Sequence, residues 1–261
     1  GIDPLGVPKV LTKTAIPFAY DDLDALSALL NAHENQVAAI MMEPLRSDFP
    51  SDGYLQGVRD LADKHGVLLI FDEVSTGFRP TSAGIQPLVN VQPDLAVFAK
   101  SISNGYPMGA IVGTRKAMEP AAQMFISSTY WSDTIGIRAA ITTLEEIEKR
   151  ETTKTIHEIG QTLKAEVSSL LHAYSLPATC GGVDWHPYLL FDAGHDTPLL
   201  ISLFIQEMAK RSIHTGTSFY INEAHGTTEL EETLSAMRDV FLIIRNALDA
   251  ELLPDLIETI P

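Results

Sequence analysis

The chain has 261 residues, 45% of them hydrophobic, which is enough for one large or two smaller cores. Its 34 acidic and 18 basic residues give a formal charge of −16, which disfavours nucleic acid and anionic membranes as partners; no apolar run is long enough to span a bilayer. A single cysteine, Cys180, excludes an intrachain disulfide and fits a reducing compartment, the cytoplasm; beside Gly181 and Gly182 it reads as a small apolar filler.

In chain order, Gly1-Ile2-Asp3-Pro4 lacks the charged-then-apolar pattern of a secretory leader and opens a Pro/Gly-bearing loop. Asp21 to Leu30 has apolar residues at helical spacing behind acidic residues that suit a helix start. Val37 to Met42 reads as a strand delivering Glu43-Pro44, and Asp52 to His65 as an amphipathic helix capped by Gly66. Val67 to Asp72 is a continuous apolar run, as in a parallel strand covered on both faces. An irregular stretch follows to Asp94, then a strand running into Lys100, then a short strand over Met108 to Val112. Ile135 to about Arg150 and on to about Tyr174 has the composition of two long helices. A Pro/Gly-bearing segment with Pro177, Gly181, Gly182 and Pro187 leads to a strand over Tyr188 to Phe191, with helices expected over Thr197–Arg211 and Thr227–Leu252. This order predicts an α/β fold: a mainly parallel sheet flanked by helices over residues 1–150, and a smaller α+β domain over 151–261.

Two charged residues carry the chemistry. Lys100 leaves an apolar strand into the small, Gly-bearing run Ser101-Ile102-Ser103-Asn104-Gly105. An ammonium is costly to bury, and burial favours the neutral amine, which attacks carbonyls. Asp72 ends the strand that lies 28 residues upstream. Ligands of open α/β sheets sit beyond the carboxyl ends of the strands, so both residues are expected at one sheet edge. A lysine and an acid there suit pyridoxal phosphate, which needs an amine for its aldehyde and an anion for its pyridinium nitrogen.

The run Leu69-Ile70-Phe71-Asp72-Glu73-Val74-Ser75-Thr76-Gly77-Phe78-Arg79, then Gln92-Pro93-Asp94, then Lys100 to Ala110, resembles the class III aminotransferases, pyridoxal-phosphate enzymes of fold type I. The likeness extends from about Phe18 to about Leu248. It implies that Lys100 forms the Schiff base, that Asp72 holds the pyridine nitrogen, and that Val74 packs on the ring. It further implies that Thr129, in Ser128-Thr129-Tyr130-Trp131-Ser132, reaches the phosphate of the neighbouring subunit's cofactor in a homodimer. Family members carry, before the aligned region, a Gly/Ser/Thr turn that cradles the phosphate. Gly1 to Met42 offers only a helix and a strand, so the chain is expected to be the C-terminal part of a longer enzyme.

The implied activity is amino-group transfer between small amines and carbonyl compounds, of the transaminase or 2,1-aminomutase type. Many members carry an arginine for the substrate carboxylate in the C-terminal domain. The comparable segment here, Ser218 to Thr227, has none and resembles the glutamate-1-semialdehyde 2,1-aminomutase branch. The second function class is an incomplete or non-catalytic chain of the same fold acting as an assembly partner.

The remaining candidates have plainer readings. Glu43 is either a strand-to-loop exit or part of the active-site floor, and Arg46 and Asp48 sit in a loop where substrate contacts occur in the family but where most charges are merely solvated. Glu73 is expected in a structural salt bridge and Arg79 in a clamp on backbone carbonyls. Asn104 and Gly105 are expected to shape the turn, and Tyr130 and Trp131 to pack at a subunit contact. The eight histidines show no paired metal-ligand spacing and read as surface or satisfied core residues.

Overall fold

The computed structural model describes residues 5–11 and 14–258; the opening read at Gly1–Pro4 lies outside them. Its centre is a four-stranded sheet in the order β1 (Ala39–Met42), β2 (Leu68–Asp72), β3 (Leu95–Phe98), β4 (Ala110–Gly113). The first three strands are parallel and β4 is an antiparallel edge. Two helices precede β2. In α1 (Leu23–Ala32) the Asp22 carboxylate caps the start by accepting from Ala25 N–H, and α2 (Tyr54–His65) ends on Gly66 at φ 65°. Between β2 and β3 the irregular stretch contains one turn of helix, α3 (Gln86–Val89), and after β4 comes another, α4 (Arg115–Met118).

Pairing of Met42 with Phe71, and of Phe71 with Ala96, places Ile40, Met42, Leu69, Phe71, Ala96 and Phe98 on one face of the sheet, and all six are buried. The opposite face holds Met41, Ile70, Leu95, Val97 and Ile111, of which Met41 is 56% exposed and Ile111 59%. The apolar run of β2 had argued for cover on both faces. Among the described residues one face is closed and the other half-open.

Downstream, α5 (Thr134–Lys149) starts on the Asp133 side chain, and α6 (Thr152–Ala173) follows almost at once. Then comes a hairpin, β5 (Ala178–Val183) with β6 (His186–Phe191). The Pro/Gly-bearing segment is thus itself a strand. Its glycines serve the pairing, because Gly181 lies against the Tyr188 ring and Gly182 sits at φ 91°, both closed to larger side chains. With α7 (Thr197–Lys210) and α8 (Thr227–Asp249) the hairpin builds a core on Val167, Leu200, Phe204 and Phe241. That core is continuous with the closed face of β1 and β2. Burial pushes the Cys180 thiol up to about 11, which keeps it an inert filler. No helix of the described residues is long and apolar enough to cross a membrane.

Candidate active site

Parallel pairing of β1, β2 and β3 brings their carboxyl ends to one edge, where Glu43, Asp72 and Lys100 emerge. Asp72 pairs with Val97 on the half-open face, and Lys100 follows three residues later. Asp72 Oδ1 accepts from Val74 N–H at 3.0 Å, and its second oxygen has no protein partner among the described residues. Glu73, next in the chain, turns to the closed side and is fully buried. Its oxygens accept from Ile85 N–H at 2.7 Å and from the Gln86 amide at 3.0 Å. Among the described residues no cation pairs with it, which corrects the expected salt bridge: backbone and amide donors of the following loop satisfy it instead. Burial raises its carboxyl above the ordinary value, against those two hydrogen bonds.

Lys100 is exposed, contrary to the burial argued from sequence. The cause is local. β3 stops at Phe98, and Lys100 opens a short 3-10 turn at φ 50°, which carries it out of the sheet. Asn104 at φ 48° and Gly105 at φ 105° complete the turn, as expected of them. The ammonium donates to Ser75 Oγ at 2.9 Å. A shallow cavity of about 400 Å³ lies beside it, lined by Arg79, Lys100, Asn104 and Tyr106. Arg79 donates to the carbonyls of Ser75 and Ile221, as a backbone clamp does, and its guanidinium lies 5.5 Å over the Tyr220 ring.

The remaining candidates are dispersed. Glu43, Arg46 and Asp48 line a cavity of about 790 Å³, larger than the one at Lys100. One Glu43 oxygen is buried without a hydrogen-bond partner among the described residues, and Arg46 stands 3.9 Å away. Asp48 accepts from the Tyr188 hydroxyl at 3.3 Å. Thr129, Tyr130 and Trp131 lie in an exposed turn before α5, and no hydrogen bond joins Thr129 to Asp72, Val74 or Lys100. Val74 is half-buried beside Asp72.

Sequence reasoning missed two contacts. Ser75 had no signal except its position three residues after Asp72. His186 is a buried histidine stacked on Tyr220, with Nε2 2.7 Å from Ser218 Oγ and Nδ1 3.2 Å from the Arg46 carbonyl. Burial lowers its proton affinity, so it is a satisfied core histidine linking β6 to the Arg46 loop.

A carboxylate with a free oxygen and an accessible amine at one sheet edge fit two of the groups of pyridoxal phosphate that need partners, its pyridine nitrogen and its aldehyde. The family model described as aminotransferase class III matches residues 13–182. The 3-aminobutyryl-CoA aminotransferase of Cloacimonas acidaminovorans is 33% identical over 93% of this chain and 61% of its own length. A glutamate-1-semialdehyde 2,1-aminomutase of Hyperthermus butylicus is 28% identical over 92% of this chain and 61% of its own. The chain thus spans about 61% of the length of these relatives. Among solved structures, the Sphingopyxis sp. MTA144 FumI protein in its PLP internal aldimine form superposes with a TM-score of 0.84 at 24% identity, over 92% of this chain and 60% of that one. A transaminase with PLP bound gives 0.85 at 20% identity, over 93% and 60%.

Proposed function

Because the chain belongs to the class-III aminotransferase family, we propose that it carries out pyridoxal-phosphate-dependent amino-group transfer, of the transaminase or 2,1-aminomutase type. The observation that carries this reading is the emergence of Asp72 and Lys100 from neighbouring parallel strands at one sheet edge. Pyridoxal phosphate, when bound, supplies a conjugated ring that takes up the electron pair left when the substrate carbon loses its proton. The chain's own residues then have separate tasks. Lys100 would hold the cofactor through its amine and would serve as the base that takes and returns the carbon proton at Nζ. Asp72 would offer its second oxygen to the pyridine nitrogen and so favour the protonated ring. Val74 would pack on the ring, and Thr129 would give its hydroxyl to the phosphate of the neighbouring subunit's cofactor.

Residues 1–150 then form the cofactor-binding part and 151–261 the small domain, in a cytoplasmic homodimer. Support for the second copy is the exposed apolar surface at Phe125, Tyr130, Trp131 and Ile135. Substrates are small amines and carbonyl compounds. The absence of an arginine between Ser218 and Thr227 favours the aminomutase branch and relatives such as the 3-aminobutyryl-CoA enzyme over enzymes that clamp an α-carboxylate there.

Titration with pyridoxal phosphate tests the reading. A visible imine band that forms with the chain and is bleached by an amine donor is expected, and Lys100→Ala should lose the band. A band of equal strength in Lys100→Ala would contradict it.

A further inference from the structure

We infer that Ser75 is a positioning residue that holds the Lys100 amine at the sheet edge, an inference that rests on Lys100 being the reactive amine. The contact at 2.9 Å is the one side-chain hydrogen bond Lys100 makes among the described residues. A hydroxyl suits the task because it accepts from an ammonium and can rotate to donate to a neutral amine. The contact therefore survives both protonation states that a proton-transferring lysine must visit.

Ser75 is itself fixed by its turn. Gly77 N–H donates to the Glu73 carbonyl at 2.7 Å, the Thr76 hydroxyl to the Leu45 carbonyl at 3.2 Å, and Arg79 Nε to the Ser75 carbonyl at 3.0 Å. Gly77 also presses the turn onto β3: a Cβ there would come within 2.6 Å of the Phe98 ring and 2.8 Å of the Glu73 carbonyl. The segment carrying Ser75 thus lies against the residue two before Lys100. Lys100 leaves the backbone from a fixed left-handed position. Between these two anchors stands only its flexible four-carbon stem, and an exposed stem of that kind keeps its rotamer freedom unless its tip is held. Holding the tip restricts where the amine can stand at the sheet edge.

The test needs no cofactor, so its outcome is separable from that of the proposed activity. The full chain is trace-acetylated with acetic anhydride at fixed pH, and Lys100 labelling is read by peptide mass spectrometry against Lys154, an exposed lysine of α6. Attack by Nζ requires the hydrogen bond to break. Ser75→Ala should therefore raise the Lys100-to-Lys154 ratio about two- to tenfold, the factor equivalent to one net hydrogen bond. Ser75→Thr keeps the hydroxyl and should leave the ratio at the wild-type value. An unchanged ratio in Ser75→Ala, or a Ser75→Thr ratio equal to that of Ser75→Ala, would overturn the inference.

Discussion

The two faces of the β1–β4 sheet share one backbone and differ in what they do. On the closed face Leu69 and Phe71 are at 0% exposure and join a core that runs through α1, α2 and the C-terminal helices. On the open face Met41 and Ile111 are more than half exposed although just as apolar. The strand ends repeat the contrast. Asp72 belongs to the open face and keeps one oxygen without a partner among the described residues, while Glu73 belongs to the closed face with both oxygens occupied. Two adjacent carboxylates thus face opposite sides of the sheet by side-chain parity alone.

The largest expected effect lies on the closed face. Phe71→Ala should cost about 3–5 kcal/mol in a urea titration, because the ring is fully buried and its cavity cannot collapse against a sheet. A cost below about 1 kcal/mol would mean that this face is not the load-carrying one.

Asp72→Asn comes next and should separate the two roles. The amide oxygen still accepts from Val74 N–H, so the melting temperature should hold, while amino transfer slows by about 10²–10³-fold because the ring nitrogen loses its anion. Turnover close to wild type would assign the nitrogen to another residue.

Glu73 is the matching test on the closed side. Glu73→Ala strands the Ile85 N–H and should cost about 1–3 kcal/mol. Its pH dependence has a definite sign. The folded carboxyl titrates above its ordinary value, so its stabilising contribution is complete below the ordinary carboxylate range and is lost as pH rises through the raised value. Glu73→Gln lacks that loss, and its stability relative to wild type should climb as pH rises above the ordinary carboxylate range. A flat difference across that window would show that the carboxyl is not desolvated.

The smallest effect is expected for Met41→Ala on the open face, within about 0.5 kcal/mol of wild type by the same urea titration. A loss comparable to that of Phe71→Ala would erase the distinction between the faces.

Much of this was legible in the residues. Helical spacing placed α1 and α2, and composition the long helices after β4, to within a few residues, and the apolar runs before Asp72 and Lys100 put both at one sheet edge. Other features depended on geometry that spacing does not encode. The exposure of Lys100 follows from a left-handed turn that starts as β3 ends. The strand at Ala178–Val183 was hidden by its glycines, which discourage a strand until the Tyr188 ring is seen lying on Gly181. The Ser75 contact appears only when the turn folds back onto Phe98, and Glu73 found amide donors rather than the cation its charge called for.

The central claim is that Lys100 is the amine that bonds the cofactor, and one measurement reaches it directly. The chain is incubated with pyridoxal phosphate, reduced with borohydride and mapped by peptide mass spectrometry. The pyridoxyl label should sit on Lys100, with the other lysines at background. A label on Lys116 or any other lysine, with Lys100 unmodified, would contradict the assignment.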